Sequence, residues 1–333
     1  MEAYMLLIAF GTRPEWIKVR PIIDEIHGKI PYQLLYTGQH TDLVDLKGYR
    51  PKCITVSPYL ASNRLDSIVC SILEHLDGDL KGVTHVMVQG DTTTAFAVAL
   101  AAFHRQIKVI HLEAGLRTYQ RTPYPEEFNR RAISLIAEAH LCPTDSSRQN
   151  CYSDNVRGNI YVVGNTVLDS IHPVKREKTK VLCTMHRREN ISLIPEWFAE
   201  INKLAHSNPD TEFVFPMHPN PEIQKHKDLL SNVSVVAPMS RDQLIETMCE
   251  SHFVITDSGG LQEEAAFLRV PCVVCRTSTE RPEGLGNFSL LCVMPEFLSK
   301  VVIAAQKLKM EGECPYGDGN ASKKILKILE ELI

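Results

Sequence analysis

Residues 251–268 read SHFVITDSGGLQEEAAFL. An apolar, β-branched run stops at Asp257, Ser258-Gly259-Gly260 turns the chain, and a helix-forming stretch follows. A strand, a glycine turn and a helix in succession offer free backbone N–H groups and the positive end of a helix dipole to an anion. The tripeptide therefore predicts a diphosphate cradle. Glu264, one turn into the helix, is placed to accept hydrogen bonds from ribose hydroxyls. After the next apolar run, VPCVVC, comes Thr279-Glu280-Arg281-Pro282-Glu283, whose Arg281 is placed to meet the same phosphates. The alternative is a bare glycine turn, and Glu264 with Arg281 weighs against it.

The same rhythm runs outward from this stretch. YMLLIAF (4–10), YQLLYT (32–37), THVMVQ (84–89), KVIHL (108–112), AHLCP (139–143) and IYVVG (160–164) read as strands, with helical patterns over 93–105 and 127–138 between some of them. In the second half KVLCTM (180–185), EFVFPM (212–217), VSVVAP (233–238), HFVIT (252–256) and VPCVVC (270–275) alternate with helical stretches near 192–207, 240–251 and 260–268. Alternation of this kind predicts an α/β chain of βαβ units with parallel, buried sheets. A length of 333 residues suits two Rossmann-like domains. The polar stretch HPVKREKT (172–179) divides them, giving an N-terminal domain over 1–171 and a second over 172–318, with a terminal helix in 319–333.

Composition narrows the function classes. Net charge is −4, and basic residues stand singly in loops, which suits one small anionic ligand rather than a nucleic acid. No apolar run approaches the ~20 residues needed to cross a bilayer. The start, MEAYMLLIAFGTRPE, reads as a first strand rather than a signal peptide. The ten cysteines follow no regular spacing, so reduced thiols and a cytoplasmic location are expected. Cys272 and Cys275 form one CxxC with no second ligand pair, and at i,i+3 on a strand they point to opposite faces, so two core cysteines are expected and no metal.

Chemistry-bearing residues collect where strands end. The first strand runs into Gly11-Thr12-Arg13-Pro14-Glu15 and a helix carrying Lys18, two cations beside a helix N-terminus; a solvated loop is the bland alternative. Gly90-Asp91-Thr92 and Glu113-Ala114-Gly115 end successive strands, and Pro123-Tyr124-Pro125-Glu126-Glu127 opens a helix. Asp91 alone reads as a helix cap, and one of the two glutamates as a dipole partner. Asp91, Glu113 and Glu126 together are a different matter, since clustered carboxylates shift one another's pKa and supply both general acid and general base. His186 and His218 end two successive strands of the second half, in no metal-ligand spacing.

Taken in order, FGTRPE, QH, GDTTT, EAGLRT, PEE-x-NR, GNT-x-D, HRREN, P-x-HPNP, TDSGG-x-QEE, TERPE and PYGDG resemble the non-hydrolysing UDP-N-acetylglucosamine 2-epimerases from end to end. That resemblance implies a GT-B architecture, two Rossmann-like domains whose parallel sheets face a central cleft, and a terminal helix packed back on the first domain. It places Asp91, Glu113 and Glu126 as acid/base carboxylates, with His186 beside them. Arg13, Lys18, His186 and Arg281 fall on diphosphate- or substrate-contacting positions, Ser258, Gly259 and Gly260 on the phosphate loop, Glu264 on the ribose contact, and His218 on a further substrate-binding position. The implied reaction eliminates UDP to 2-acetamidoglucal and adds it back with inversion at C2, without a cofactor, in a homodimer.

Three segments depart from the family pattern. TDLVDLKGYRPK (41–52), after Gln39-His40, is short, which puts activation by a second UDP-N-acetylglucosamine in question. PMSRDQL (238–244) lacks the usual glutamine and aromatic that contact uracil, with Met239 and Leu244 standing near, and RRENISL (187–193) lacks a glycine-bearing loop. A UDP-6-deoxy-N-acetylhexosamine substrate, a hydrolysing epimerase, a GT-B glycosyltransferase and a catalytically dead sugar-nucleotide sensor remain as rival readings.

Overall fold

The protein, as a computed structural model, is described over residues 4–39, 46, 48–54, 56, 61, 63–76, 78–174 and 176–332. The chain forms two compact units, Met1–Ser170 with Gly317–Ile333, and Ile171–Tyr316. Gly317 belongs with the first unit because its backbone lies against Gly164, where an added Cβ would come 3.1 Å from the Gly164 Cα.

In the first unit the strands are β1 (Leu6–Phe10), β2 (Tyr32–Tyr36), β3 (Lys52–Cys53), β4 (His85–Gln89), β5 (Lys108–Leu112), β6 (Ala139–Cys142) and β7 (Asn159–Val162). They make one parallel sheet in the order β3-β2-β1-β4-β5-β6-β7. Its helices are α1 (Arg13–Ile26), α2 (Arg64–His75), α3 (Thr93–His104), α4 (Glu126–Ile136) and α5 (Asp145–Ser153). β1 and β4 are buried at every position, as strands covered on both faces must be. Alternation splits them: Leu6, Ile8 and Phe10 join Trp16, Ile22 and Ile23 of α1, while Leu7 and Ala9 join Ile68 of α2 and Ala95, Val98 and Ala102 of α3.

The second unit has β8 (Lys180–Thr184), β9 (Glu212–Pro216), β10 (Ser234–Val236), β11 (Ser251–Thr256), β12 (Cys272–Val274) and β13 (Ser289–Leu291), all parallel, in the order β10-β9-β8-β11-β12-β13. Helices α6 (Ile194–His206), α7 (Pro221–Gln224), α8 (Arg241–Cys249), α9 (Gly259–Phe267) and α10 (Leu298–Ala305) complete it. Cys272 packs into one face of this sheet and Cys275 into the other, both wholly buried, so the CxxC is core. All ten cysteines are free thiols. The chain closes with α11 (Ala321–Leu332), whose Ile325, Leu326 and Leu329 complete the core around α1. Asp169 caps this helix, accepting from the backbone N–H of Ala321 at 3.0 Å and of Ser322 at 2.6 Å.

In each sheet the strand order reverses at one point, between β1 and β4 and between β8 and β11. Loops leaving the carboxyl ends of strands at such a reversal diverge to opposite faces and open a crevice for ligands. Gly11–Glu15 and Gly90–Thr94 occupy that place in the first unit, Met185–His186 and Asp257–Gly260 in the second.

Candidate active site

Glu113 follows β5 with a φ of +62°, a left-handed backbone conformation that costs a non-glycine residue free energy. The turn aims its carboxylate inward. Lys18 Nζ, projecting from α1, donates to both oxygens at 2.6 and 2.5 Å. The side-chain amide of Asn165 donates at 3.1 Å, and that of Gln89 also donates. A carboxylate 7% exposed at its side chain is thus held by one cation and two amides. Lys18 and Glu113, ninety-five residues apart, are brought into direct contact.

Asp91 does not cap the following helix. Thr92 does, its Oγ1 accepting from the Ala95 N–H at 3.0 Å. The Asp91 carboxylate meets Arg130 of α4 at 2.5 Å, and its carbonyl accepts from Asn129 Nδ2 at 2.8 Å. The buried His111 steadies the same loop: its Nε2–H donates to the Gly90 carbonyl at 2.8 Å, and burial pushes its pKa down to about 3, so the ring is neutral.

The two acids of Pro125-Glu126-Glu127 part company. Glu127 is buried and accepts from the N–H groups of Thr118 and Tyr119, both at 3.0 Å, so it closes the preceding loop. Glu126 is the first residue of α4, and its Oε2 is buried without a hydrogen-bond partner in the structure. Burying a carboxylate oxygen without a partner carries a desolvation cost. Arg13 stands exposed as the first residue of α1.

One residue of this region carries no sequence signal beyond its place in the GTRPE block. Glu15 is 1% exposed, and its Oε2 accepts from the Gly11 N–H at 3.0 Å and the Thr12 hydroxyl at 2.7 Å. Its Oε1 accepts from the Thr92 hydroxyl at 2.8 Å, tying the loop after β1 to the loop that bears Asp91. Burial raises its pKa to about 7 despite those donors.

In the second unit Asp257, fully buried, organises the strand ends. Its carboxylate accepts from the N–H of His186 at 3.0 Å, the N–H of Arg187 at 2.9 Å and the side chain of Asn190 at 3.1 Å. His186 Nδ1 lies 3.3 Å from the same carboxylate, and its ring stacks on His218 with centroids 5.6 Å apart. Burial lowers the His186 pKa, against the pull of Asp257.

Ser258 caps α9 and leaves Gly259 and Gly260 at its head. A Cβ at Gly259 would come 2.5 Å from Arg281 Nη1, so a side chain there requires the guanidinium to shift. Arg281 thus lies against the N-terminus of α9. Its guanidinium is also paired with Glu263 and Glu280, each at 2.5 Å, and Glu280 shares Arg276 at 2.7 Å, which in turn meets Glu189 at 2.7 Å. Glu264 is buried and receives Arg241 from α8. Among the described residues no three His, Cys, Asp or Glu side chains gather as a metal set, and no helix is long and apolar enough to cross a membrane.

Known proteins give this arrangement a family. The model of the UDP-N-acetylglucosamine 2-epimerase family matches residues 24–330. The chain is 36% identical to the UDP-N-acetylglucosamine 2-epimerase of Salmonella borreze over an alignment covering 96% of this chain and 97% of that protein. It is 35% identical to the enzyme of the same name from Bacillus subtilis, covering 99% and 96%. The Salmonella alignment runs over 368 positions, longer than the chain itself, so the relative has internal positions that this chain lacks. Among solved structures, the Neisseria meningitidis UDP-GlcNAc 2-epimerase bound to UDP-GlcNAc superposes with a TM-score of 0.88 at 34% identity, covering 98% of this chain and 100% of that one. Acinetobacter baumannii MurG, at 12% identity and a TM-score of 0.63 over 98% of this chain and 99% of its own, shares the fold alone. With two parallel-sheet α/β units of GT-B type and these relatives along its whole length, the chain is an enzyme of the UDP-N-acetylglucosamine 2-epimerase family.

Proposed function

We propose that the enzyme interconverts UDP-N-acetylglucosamine and UDP-N-acetylmannosamine without hydrolysing them, by eliminating UDP and adding it back. A base takes the C2 proton; the C–H electrons become the C1=C2 double bond of 2-acetamidoglucal while the C1–O bond breaks and its pair leaves with UDP. In the return step a UDP oxygen attacks C1 and C2 takes a proton on the opposite face. The observation that carries this reading is the strand-end carboxylate Glu113 clasped by Lys18, accompanied by Asp91 and the orphaned oxygen of Glu126. Protonation on two faces needs more than one acid/base group, and these three carboxylates supply them. The C2 proton is only weakly acidic, so the leaving diphosphate has to be stabilised. Ser258, Gly259, Gly260, Arg281, Arg13 and His186 serve that end, Glu264 holds the ribose, and His218 supports His186. No cofactor enters the scheme.

The enzyme is further read as a cytoplasmic homodimer: free thiols suit a reducing compartment, and Phe103, Phe128 and Leu135 leave an exposed apolar face on the neighbouring helices α3 and α4. Proton NMR of the protein with UDP-N-acetylglucosamine in D2O tests the reaction. The expected result is two interconverting UDP-sugars with deuterium entering C2. Free N-acetylmannosamine would identify a hydrolysing enzyme, and an unchanged substrate a different sugar or an acceptor-dependent transferase.

A further inference from the structure

The segment 238–244, PMSRDQL, leads into α8 and brings Arg241 to Glu264 of α9. Ser240 caps α8 through a reciprocal pair with Gln243, which fixes the first turn of that helix. Arg241 is its first residue, and both its Nε and its Nη2 reach the same oxygen of Glu264, Oε1, at 3.1 Å. Side chains are only 17% and 7% exposed, so the pair is largely removed from water and its geometry is held from both helices. Glu264 is the carboxylate assigned above to the ribose. We infer that Arg241 is a positioning residue for Glu264 and thereby sets the preference of this enzyme for a ribonucleoside diphosphate over its 2′-deoxy counterpart.

This inference rests on the ribose assignment of Glu264. A carboxylate that reads vicinal hydroxyls needs a fixed orientation, because each hydroxyl donates along one lone-pair direction. A guanidinium fork on one oxygen restricts the rotation of the Glu264 carboxylate and removes an entropic cost from nucleotide binding. Arg241 leads α8, whose cap comes from Ser240 and Gln243, so replacing it leaves the cap intact.

Calorimetric titration of the full-length protein with UDP, 2′-deoxy-UDP and inorganic pyrophosphate tests it. Arg241→Met is expected to weaken UDP about tenfold, the scale of one charge-assisted contact, and to narrow the UDP to 2′-deoxy-UDP ratio. Pyrophosphate affinity is expected to stay within twofold, and Arg241→Lys to fall between the two proteins. In a Glu264→Gln background, Arg241→Met adds less than twofold if it acts through Glu264. An unchanged UDP to 2′-deoxy-UDP ratio in Arg241→Met, with Glu264→Gln weakening UDP, overturns the role of Arg241 alone. If Glu264→Gln also leaves UDP binding unchanged, the ribose assignment itself has failed. Loss of pyrophosphate binding in both Arg241→Met and Arg241→Lys means a misfolded unit rather than a positioning effect, and it too overturns the inference.

Discussion

At the residue scale, the carboxylates divide by what surrounds them. Glu113 is clasped by Lys18, Asp91 by Arg130, and Glu126 keeps a buried oxygen without a partner. Asp91→Asn, Glu113→Gln and Glu126→Gln are each expected to lower kcat by about 10²-fold or more, the usual scale for losing a general acid or base. Glu126→Gln is expected to retain UDP affinity, because the proposed nucleotide contacts lie on other residues. Turnover near the parent value in all three would remove the acid/base reading. Glu15 makes a separate prediction about pH. Burial raises its pKa from 4.5 to about 7 in the folded chain. Between those values the folded state holds a proton that the unfolded state has released, so stability falls as pH rises through that window. The loss is on the order of 3 kcal/mol once both states are ionised. Glu15→Gln, neutral at every pH, is expected to flatten the decline of Tm between pH 5 and 8. A decline as steep as the parent's would mean that other groups cause it.

At the element scale, side-chain caps fix the helix N-termini that follow strand ends in each unit. Thr12, Thr92 and Ser258 cap α1, α3 and α9. Two of these caps, Thr12 and Thr92, converge on Glu15. At α9 the guanidinium of Arg281 lies against Gly259, where an added Cβ would come 2.5 Å from its Nη1. Gly259→Ala therefore has to displace Arg281 from its seat between Glu263 and Glu280. The expected outcome is at least a tenfold loss of UDP affinity by calorimetry, equal to 1.4 kcal/mol or more, with the far-ultraviolet circular dichroism unchanged. A Gly259→Ala protein that binds UDP like the parent would show that Arg281 does not need that seat. Two strands escape the periodic reading altogether. β3 is two exposed residues, and β13 is three residues behind a loop, too short for alternation to register.

At the scale of the whole molecule, the prediction concerns regulation. Of the shortened stretch 41–52 after Gln39-His40, residues 41–45 and 47 lie outside the described residues, so this expectation rests on sequence. If the activator pocket is incomplete, a second sugar nucleotide has no differential affinity through which to favour the active state. Turnover starting from UDP-N-acetylmannosamine is expected to be linear from time zero. A lag abolished by a trace of UDP-N-acetylglucosamine would show that the activating site persists. Fold class was legible in the sequence because both its signals are local: short runs dominated by apolar and β-branched residues, and glycine turns that open helices. Residue types at strand ends were legible for the same reason. Which residues meet was not. The partition of Glu126 from Glu127, the release of Asp91 from a capping role, the seat of Arg281 on Gly259 and the fork of Arg241 on Glu264 each join segments distant along the chain or turn on one dihedral angle. Side-chain pairing depends on distance and direction in space, and only the packing of the helices against their sheets sets those.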